Sequence, residues 1–293
     1  MNHDILDPDS RIEEDEMLWH YTDINGLLGI FSDIADGNGE LSFHASSLYS
    51  MNDYKEVEFG ISLLESALEE YLALGEAYGD FSDSSIYESR VRPLFQKISE
   101  SGFLDIFSIS FSRAGDQLSQ WRGYADAGYA IGFDYAKLAK KISLGQGGAG
   151  RRSNFSDITY FGANHVQNMS CVNSLNSFGD IVSKIRDGSS VDDVLDLMHW
   201  TIMKDLPFWK SAGFSEEREV RFALWSNSGI KYKPSPLGPR AYIEHKIPLD
   251  TVKTVMVGPG RDLDVRFATT NRFVEEKTGG LVSASTSNVT FRN

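Results

Sequence analysis

The chain has 293 residues, of which 41% are hydrophobic and 12% aromatic, enough for a globular protein with a substantial core. Its 28 Lys and Arg against 42 Asp and Glu give a formal net charge of −14, which disfavours a broad nucleic-acid-coating surface but leaves room for a local basic pocket. The single cysteine, Cys171, excludes an intramolecular disulfide and a thiolate metal cluster, in agreement with a reducing cytoplasm.

The N-terminal residues 1–16 are acidic and poor in apolar periodicity, which predicts a disordered or loosely packed lead-in. No basic segment followed by an apolar run is present, so we expect no secretory signal. No apolar stretch approaches the length of a membrane span. We therefore expect a cytoplasmic protein without a membrane partner. Because no repeat or long linker divides the rest, residues 17–293 are predicted to form a single domain.

Ordered structure is predicted to begin with a short buried strand, Met17–Thr22. Asp23 follows as the N-cap of a helix whose apolar residues recur at helical spacing. The turn Gly37–Gly39 then leads into a second strand, Leu41–Ala45. Two amphipathic helices are expected next, over about 61–77 and 85–100.

The cleanest period-two alternation in the chain is Phe107–Ser112. Its three apolar residues share one face, and Ser108, Ser110 and Ser112 share the other. Such a segment is typical of a strand with a core face and a hydroxyl face. We expect the hydroxyl face to border a cleft.

Later segments alternate between strand and helix patterns, which predicts an α+β fold. The glycine-rich segment 145–150 matches G-x-G-x-x-G, but it lacks a strand before it and a helix after it, so we interpret it as a surface loop. Strands are predicted over about 129–133, 156–161, 241–248, 251–257 and 282–291, and helices over about 138–142, 176–186, 191–204 and 262–277.

Charged residues alternate within an otherwise apolar stretch around Glu219. In an extended chain Glu217, Glu219 and Arg221 share one face, and Val220 and its neighbours share the other. Close carboxylates raise a carboxyl pKa and create an acid or a base, so this stretch is a candidate site. The alternative interpretation is a solvated edge strand with a Glu–Arg pair.

Several common catalytic designs are missing from the sequence. The six histidines form no H-E-x-x-H pair, so we expect no metal site. No G-x-S-x-G or P-loop motif is present, which disfavours the common hydrolase design and P-loop phosphoryl transfer. His20 lies at the junction of a strand and a helix, where it is either a core histidine or a ligand-binding group.

Three segments together resemble ADP-ribosyltransferases of the His-Tyr-Glu type: Leu18–Thr22 with the helix that follows, Phe107–Ser112, and Glu217–Val220. The resemblance implies an ADP-ribosyltransferase-like split β-sheet core with inserted and flanking helices, and NAD as a substrate bound between two small sheets. It places His20 on the residue that bonds a ribose hydroxyl, Glu219 on the catalytic glutamate, and Glu217 on the upstream position that directs transfer in some branches.

The whole chain resembles more closely an uncharacterised bacterial domain family with three motifs. These are an opening His-Tyr-Thr, here His20–Thr22, a central Ser-Gln-Trp-Arg-Gly-Tyr, here Ser119–Tyr124, and a late Glu-Glu-Arg-Glu-Val-Arg, here Glu216–Arg221. That family does not itself settle an activity.

The transferase resemblance also implies a tyrosine on the middle strand that stacks on nicotinamide. The strand Phe107–Ser112 has serines at the polar positions instead. Tyr21, Tyr124 and Tyr129 are the candidates for this role, and the sequence does not choose among them.

Further contacts with NAD are expected from one indole and two guanidinium groups. Arg122 or Arg221 would pair with the pyrophosphate, and Trp121 or a tyrosine would stack on a ring. Core packing for Trp121 and a salt bridge for Arg122 are the alternatives. The full set of expected NAD-binding residues is His20, Tyr21, Ser108, Ser110, Trp121, Arg122, Tyr129 and Arg221.

The resulting expectation is an enzyme that cleaves the nicotinamide–ribose bond of NAD and modifies an unknown macromolecule, protein or nucleic acid, in a toxin or phage-defence role. Plain hydrolysis of NAD is equally compatible. Two alternatives remain open: a nuclease that binds Mg²⁺ through Glu217, Glu219 and nearby aspartates, and a non-catalytic module that senses a nucleotide.

Overall fold

The structure, a computed structural model, describes residues 16–48, 55–63, 65–66, 92–93, 106–125, 128–144, 152–162, 183–184, 187–190, 193–194, 197, 205–236 and 238–290. The predicted lead-in apart from Glu16, the glycine-rich loop 145–150 and Cys171 lie outside these residues, as do most of the four helices predicted over 61–77, 85–100, 176–186 and 191–204. Within the described part of the chain, no helix has the length and apolarity needed to cross a membrane.

The described elements mix strands and helices, which confirms the expected α+β class. The strands are β1 Met17–Thr22, β2 Glu40–Ser47, β3 Ile106–Ser112, β4 Tyr129–Asp134, β5 Arg152–Asp157, β6 Thr159–Phe161, β7 Trp209–Ser211, β8 Glu219–Trp225, β9 Lys231–Ser235, β10 Gly238–Pro248, β11 Val252–Val257 and β12 Ser283–Thr286. The α-helices are α1 Ile24–Ile30, α2 55–63, α3 Leu118–Gln120, α4 Tyr135–Leu144 and α5 Leu263–Thr278, with short 3-10 helices at Leu206–Phe208, Ala212–Glu217 and Leu249–Thr251 and a π-helical turn at Trp121–Ala125.

Residue contacts divide the chain into two compact units, each built from separate segments. Unit 1 comprises Met1–Phe43, Phe111–Gly148 and His245–Asn293, and unit 2 comprises His44–Ser110 and Ala149–Glu244. The single domain expected over residues 17–293 stays a prediction.

Unit 1 contains the strand order β12, β11, β4, β1 and the end of β3. β1 runs antiparallel to β4, with Met17 opposite Asp134 and Thr22 opposite Tyr129. β11 is antiparallel to β4 and parallel to β12. The sheet is therefore mixed, and β4, whose six residues are all buried, lies inside it.

The short helix α1 begins as the sequence predicts. The Asp23 carboxylate accepts a hydrogen bond from the Gly26 backbone N–H at 2.7 Å, which satisfies one of the unpaired donors of the first helical turn. At the other end of unit 1, α5 stops at Gly279, whose φ of 61° is the left-handed conformation that glycine adopts at little cost.

Unit 2 is organised around β8. This strand pairs with β3 and with β5, and in the antiparallel β5 pairing Asp157 lies opposite Val220 and Arg152 opposite Trp225. β2 runs antiparallel to β3, with Ser46 opposite Ser108, and β9 and β10 form an antiparallel hairpin. The two-stranded sheet of β6 and β7 is parallel.

The structure corrects several details of the sequence predictions. Glu219–Leu224 is buried without interruption, so β8 does not have one solvent face, and its two partner strands exclude the edge-strand interpretation. Ser108 and Ser112 are buried as well, so the hydroxyl face of β3 is covered. The strand predicted over 156–161 is two strands, β5 and β6, and the closing strand predicted over 282–291 is limited to β12 among the described residues.

Candidate functional site

Glu219 and Arg221 lie two residues apart on β8, and their side chains therefore point to the same side of the strand. Arg221 Nε donates to Glu219 Oε1 at 2.8 Å, and Arg221 Nη2 donates to Oε2 at 2.9 Å. The Arg221 side chain is 1% exposed and that of Glu219 is 6% exposed. The two parallel bonds form a buried bidentate ion pair, the most directional contact a carboxylate makes with a side chain.

Lys210, on β7, connects this pair to two further carboxylates. Its Nζ lies 2.6 Å from Glu217 Oε2, 2.9 Å from Glu56 Oε1 and 3.2 Å from Glu219 Oε2, and its side chain is 4% exposed. We call Glu56, Lys210, Glu217, Glu219 and Arg221 the Lys210 cluster. With three carboxylates against two cations, the cluster has one more negative than positive charge.

Glu56 reaches the Lys210 cluster from helix α2. Its Oε2 accepts a hydrogen bond from Arg221 Nη2 at 3.1 Å. Glu56, Gly60 and Leu63 recur at spacings of four and three residues, so they share the face of α2 that is turned into unit 2. A side chain at Gly60 would place its Cβ 2.9 Å from Leu206 Cγ, so glycine permits the close approach of the helix.

Arg218, which lies between Glu217 and Glu219, has a left-handed backbone conformation. Glu217 ends the 3-10 helix Ala212–Glu217 instead of extending the strand, which corrects the expectation of one continuous strand face. Arg218 then has φ 45° and ψ 49°, and its backbone N–H donates to Ser215 O at 3.2 Å. This conformation costs a non-glycine residue on the order of 1 kcal/mol. The turn brings both Glu217 and Glu219 to the same ammonium group.

The electrostatics of the Lys210 cluster keep Glu219 ionised. Burial alone would raise the pKa of Glu219, but the positive charges of Arg221 and Lys210, with the hydrogen bonds from Arg221 and a smaller effect of the nearby Ser110 hydroxyl, outweigh it and lower the pKa to about 2. Burial would lower the pKa of Arg221, and the charges of Glu219 and Glu56 raise it above its usual range instead. Glu219 is therefore a fixed anion, which corrects the expectation of a carboxyl pKa raised by neighbouring carboxylates.

Tyr160, on β6, contacts the backbone at the start of β8. Its hydroxyl oxygen accepts a hydrogen bond from the Glu219 N–H at 2.9 Å. Burial raises the pKa of Tyr160 to about 12, and the nearby charges of Glu219 and Glu217 add to the effect. The phenol stays protonated at neutral pH and anchors the backbone that bears Glu219.

His20, the other residue placed by the transferase resemblance, lies on β1 in unit 1. Its ring makes edge contacts with Phe43 at a centroid distance of 5.0 Å and with Phe111 at 5.9 Å. The side chain is partly buried. Its predicted contact with a ribose hydroxyl stays a prediction.

Tyr21 and Trp121 form an aromatic contact within unit 1. Their rings meet edge to face at a centroid distance of 4.8 Å. The Tyr21 hydroxyl donates to Ala114 O at 2.8 Å and accepts from Gln117 N at 3.3 Å, and burial raises its pKa to about 12. Trp121 is fully buried and donates from Nε1 to Asp116 Oδ1 at 2.9 Å. Both side chains have the contacts expected of core residues.

The remaining predicted NAD-binding residues have different surroundings. Arg122 is exposed on the π-helical turn, whereas Tyr129 is buried on β4 with the Arg266 guanidinium 5.8 Å from its ring centroid. On β3, Ser108 is buried, and the Ser110 side chain is near enough to Glu219 to help lower the pKa of that carboxyl.

The predicted site residues therefore fall into two groups. Within unit 2 the structure brings together Ser110, Glu217, Glu219 and Arg221. Unit 1 contains His20, Tyr21, Trp121, Arg122 and Tyr129.

Sequence reasoning missed three residues of the site in unit 2: Glu56, Lys210 and Tyr160. Glu56 had a readable signal, because it lies on the apolar face of α2 together with Gly60 and Leu63. Lys210 had a weaker signal: it is a single cation that directly follows the apolar run Pro-Phe-Trp. Nothing local distinguishes Tyr160 from other strand tyrosines.

The described part of the chain contains no group of three or more His, Cys, Asp and Glu side chains arranged to hold a metal ion. Within the cluster, the ammonium of Lys210 lies among the three carboxylates.

Comparison with known proteins gives one match. A family model described as "Protein of unknown function (DUF2971)" matches residues 120–222, about a third of the chain. The matched range contains Trp121–Tyr124 and Glu216–Arg221, which belong to two of the three motifs of the predicted uncharacterised family. The searches of curated proteins and of solved structures find no match.

Proposed function

We propose that this chain cleaves the nicotinamide–ribose bond of NAD and transfers ADP-ribose to an acceptor, with Glu219 as the carboxylate that faces the developing positive charge. The observation that carries the proposal is the fixed charge of Glu219, a buried carboxylate whose pKa is lowered to about 2 at the head of β8. A preorganised anion in a dry site stabilises a cationic transition state without a reorganisation cost.

The proposed step needs no general acid to protonate the leaving group. The bond between the nicotinamide nitrogen and the anomeric carbon breaks, and its electron pair leaves with neutral nicotinamide. The ribose becomes an oxocarbenium-like cation, as in glycosidase transition states. Water or an acceptor nucleophile then bonds to the anomeric carbon and loses a proton to solvent. Glu219 stays ionised throughout the step, and its negative charge stabilises the oxocarbenium-like cation.

Lys210 and Arg221 occupy most of the sites at which the Glu219 carboxylate could accept a hydrogen bond from a ligand. An ionised carboxylate has about four lone-pair sites. Arg221 donates to two of them, and Lys210 donates to a third. The Ser110 hydroxyl on β3 contributes to the lowered pKa of the same carboxylate. A ribose hydroxyl that bonds to Glu219 therefore has to use the one remaining site or displace a charged donor, which is costly.

The same saturation favours a second candidate, a module that binds a nucleotide without turning it over. If Arg221 and Lys210 hold Glu219 only as a structural anion, the cluster stabilises unit 2 and contributes no catalysis. Binding of NAD without release of nicotinamide distinguishes this candidate from the enzyme.

The test is incubation of the purified chain with NAD labelled in the adenosine half, with and without cell lysate, following nicotinamide release and label transfer. We expect release by the wild-type chain, and a rate lowered about 100-fold in Glu219→Gln, the order of loss when one transition-state stabilising group is removed. Transfer to lysate macromolecules identifies an acceptor other than water.

Two variants complete the test. Glu276→Gln removes an exposed glutamate that pairs with Arg272 on α5, and it should release nicotinamide at the wild-type rate. His20→Ala should weaken NAD binding measured by calorimetry. Equal turnover by Glu219→Gln and the wild type would remove Glu219 from the mechanism. NAD binding without release in any condition would leave the sensing module.

A further inference from the structure

The β9–β10 hairpin of unit 2 concentrates cations on one face. Arg240 lies directly opposite Lys233, and Tyr242 lies directly opposite Lys231. Side chains of directly opposed residues in an antiparallel pair point to the same side of the sheet. We call this side, with Lys231, Lys233, Arg240 and Tyr242, the hairpin face. Among the strands that the structure describes, β9 is the last in its sheet order and so forms an edge.

The hairpin is positively charged, whereas the whole chain has a formal net charge of −14. About one residue in seven of the whole sequence is Asp or Glu, yet residues 226–243 contain none and carry three cations. Glu244, two residues after Tyr242 and therefore on the same side of the strand, pairs with Lys231 at 2.8 Å. The three cations and this one carboxylate give the hairpin face a net charge of +2.

Aromatic rings accompany these cations. His44, an exposed residue of β2, lies with its ring centroid 4.1 Å from that of Tyr242 and the ring planes 32° apart. Lys233 Nζ lies 5.5 Å from the Tyr242 ring centroid, within cation–π range. Aromatic rings beside cations are the combination with which proteins hold single-stranded nucleic acid: the phosphates contact the cations, and the bases stack on the rings.

The loop between the strands fixes the geometry of the hairpin face. Pro234, Pro236 and Pro239 restrict the backbone, and Ser235 Oγ donates to Gly238 O at 2.7 Å. Little conformational freedom is left to lose on binding, which favours a preformed ligand surface.

We propose that the hairpin face binds single-stranded nucleic acid through Lys231, Lys233 and Arg240 and a base stacked on the His44–Tyr242 pair. The proposal does not depend on cleavage of NAD. The competing explanation is that lysines protect an exposed edge strand from pairing with another chain, and that explanation requires no ligand.

The experiment measures fluorescence anisotropy of labelled dT and rU 12-mers with the full chain, without NAD, at several salt concentrations. Three cations on a single strand predict a slope of about −2 in a plot of log affinity against log salt, so a fourfold rise in salt weakens binding about 16-fold. A triple variant with Lys231→Gln, Lys233→Gln and Arg240→Gln should lose binding at least about tenfold at low salt.

A charge-matched control separates the hairpin face from net charge. Replacing Lys137, Lys140 and Lys141 of α4 by Gln removes an equal number of positive charges from another surface. This control should change the affinity less than about twofold. An equal loss in both triple variants would overturn the proposal, as would absence of oligonucleotide binding by the wild type at low salt.

An aromatic pair of variants tests the stacked base. His44→Ala should weaken binding about fivefold or more. Tyr232→Ala removes a ring that is 68% exposed on the opposite side of the hairpin, and it should change affinity less than about twofold. Vesicles with anionic phospholipid are a further arm. Binding to vesicles but not to oligonucleotides, or an unchanged affinity in His44→Ala, would contradict recognition of a nucleic acid.

Discussion

Arg221 holds Glu219 through two hydrogen bonds from one guanidinium, Nε to Oε1 at 2.8 Å and Nη2 to Oε2 at 2.9 Å. Arg221 also donates from Nη1 to Pro207 O at 2.7 Å and from Nη2 to Glu56 at 3.1 Å. A buried ion pair contributes little net stability when its hydrogen bonds are incomplete, because desolvation opposes the attraction. These partners use all three guanidinium nitrogens. Loss of any one partner therefore leaves a buried charge incompletely paired.

Lys210→Met should destabilise the chain by about 3–5 kcal/mol, because it leaves Glu56, Glu217 and Glu219 close together without their shared cation. Urea unfolding measures the change. Lys231→Met is the matched control, since Lys231 pairs with Glu244 at the surface, and that pair should contribute at most about 1 kcal/mol. Equal effects of the two substitutions would show that the Lys210 cluster does not stabilise the buried site.

The stability contributed by the Glu219 carboxylate should depend on pH. Its folded pKa of about 2 lies below the ordinary value of 4.5, so the unfolded chain binds the proton more tightly. The contribution is therefore complete above about pH 4.5 and is lost as the pH falls toward about 2. It amounts to roughly 3 kcal/mol for a shift of this size.

The measurement for this prediction is the difference in unfolding free energy between the wild type and Glu219→Gln, followed from pH 7 downward. The difference should be constant near neutral pH and should shrink across the acidic window. A difference that does not change with pH would mean that the variant loses packing rather than charge. Glu276→Gln, at an exposed pair with Arg272, controls for the substitution itself.

Asp116→Asn should loosen the C-terminal part of unit 1. Asp116 accepts from Trp121 Nε1 at 2.9 Å, from the Ser287 hydroxyl, and from the Asn288 N–H at 2.6 Å. An amide replaces one acceptor oxygen by a donor, which should cost about 1–3 kcal/mol and speed amide exchange at Asn288. Asn tolerates the left-handed backbone of this position, where φ is 54°.

Asp262→Asn is the matched control for Asp116→Asn. Asp262 is also left-handed, with φ 53°, and its side chain makes no capping hydrogen bond. Its replacement should leave the free energy of unfolding nearly unchanged. Hydrogen exchange at Asn288 that is as slow in Asp116→Asn as in the wild type would contradict the anchoring role of the carboxylate.

Tyr160→Phe should cost about 1–3 kcal/mol, because the Glu219 N–H loses the hydroxyl that accepts its hydrogen bond at 2.9 Å. Chemical unfolding is the measurement, and Tyr232→Phe, at an exposed tyrosine, is the control with an expected change near zero. A cost as small as that of the control would indicate that water replaces the phenol at this N–H.

Local patterns predicted the elements that are defined by neighbouring residues. The strand Met17–Thr22 is confirmed at both ends, and Asp23 caps α1 as its type and position indicate. The shared face of Glu219 and Arg221 also follows from strand periodicity and is confirmed by their two hydrogen bonds. A helix predicted over 262–277 is observed as Leu263–Thr278.

The rest of the candidate site depends on contacts that no local pattern contains. Glu56 meets Arg221 across 165 positions of sequence, and Lys210 meets Glu56 from a strand of only three residues. The period-two alternation of β3 predicted which residues share a face with Ser108. It did not predict that this face is buried in the folded chain. Burial of both sides of a strand depends on its neighbours, and these are set by the tertiary fold.

The segmented construction of the two units has a consequence for synthesis on the ribosome. In unit 1, β4 is flanked by β1 and β11, so the strand at residues 129–134 gains its second partner only after residues 252–257 have been made. Pairing over such long sequence separations is slow, and an incomplete sheet leaves a strand edge open. While residues 135–251 are being translated, one edge of β4 has no β11 to pair with, and such an open edge favours aggregation of the emerging chain.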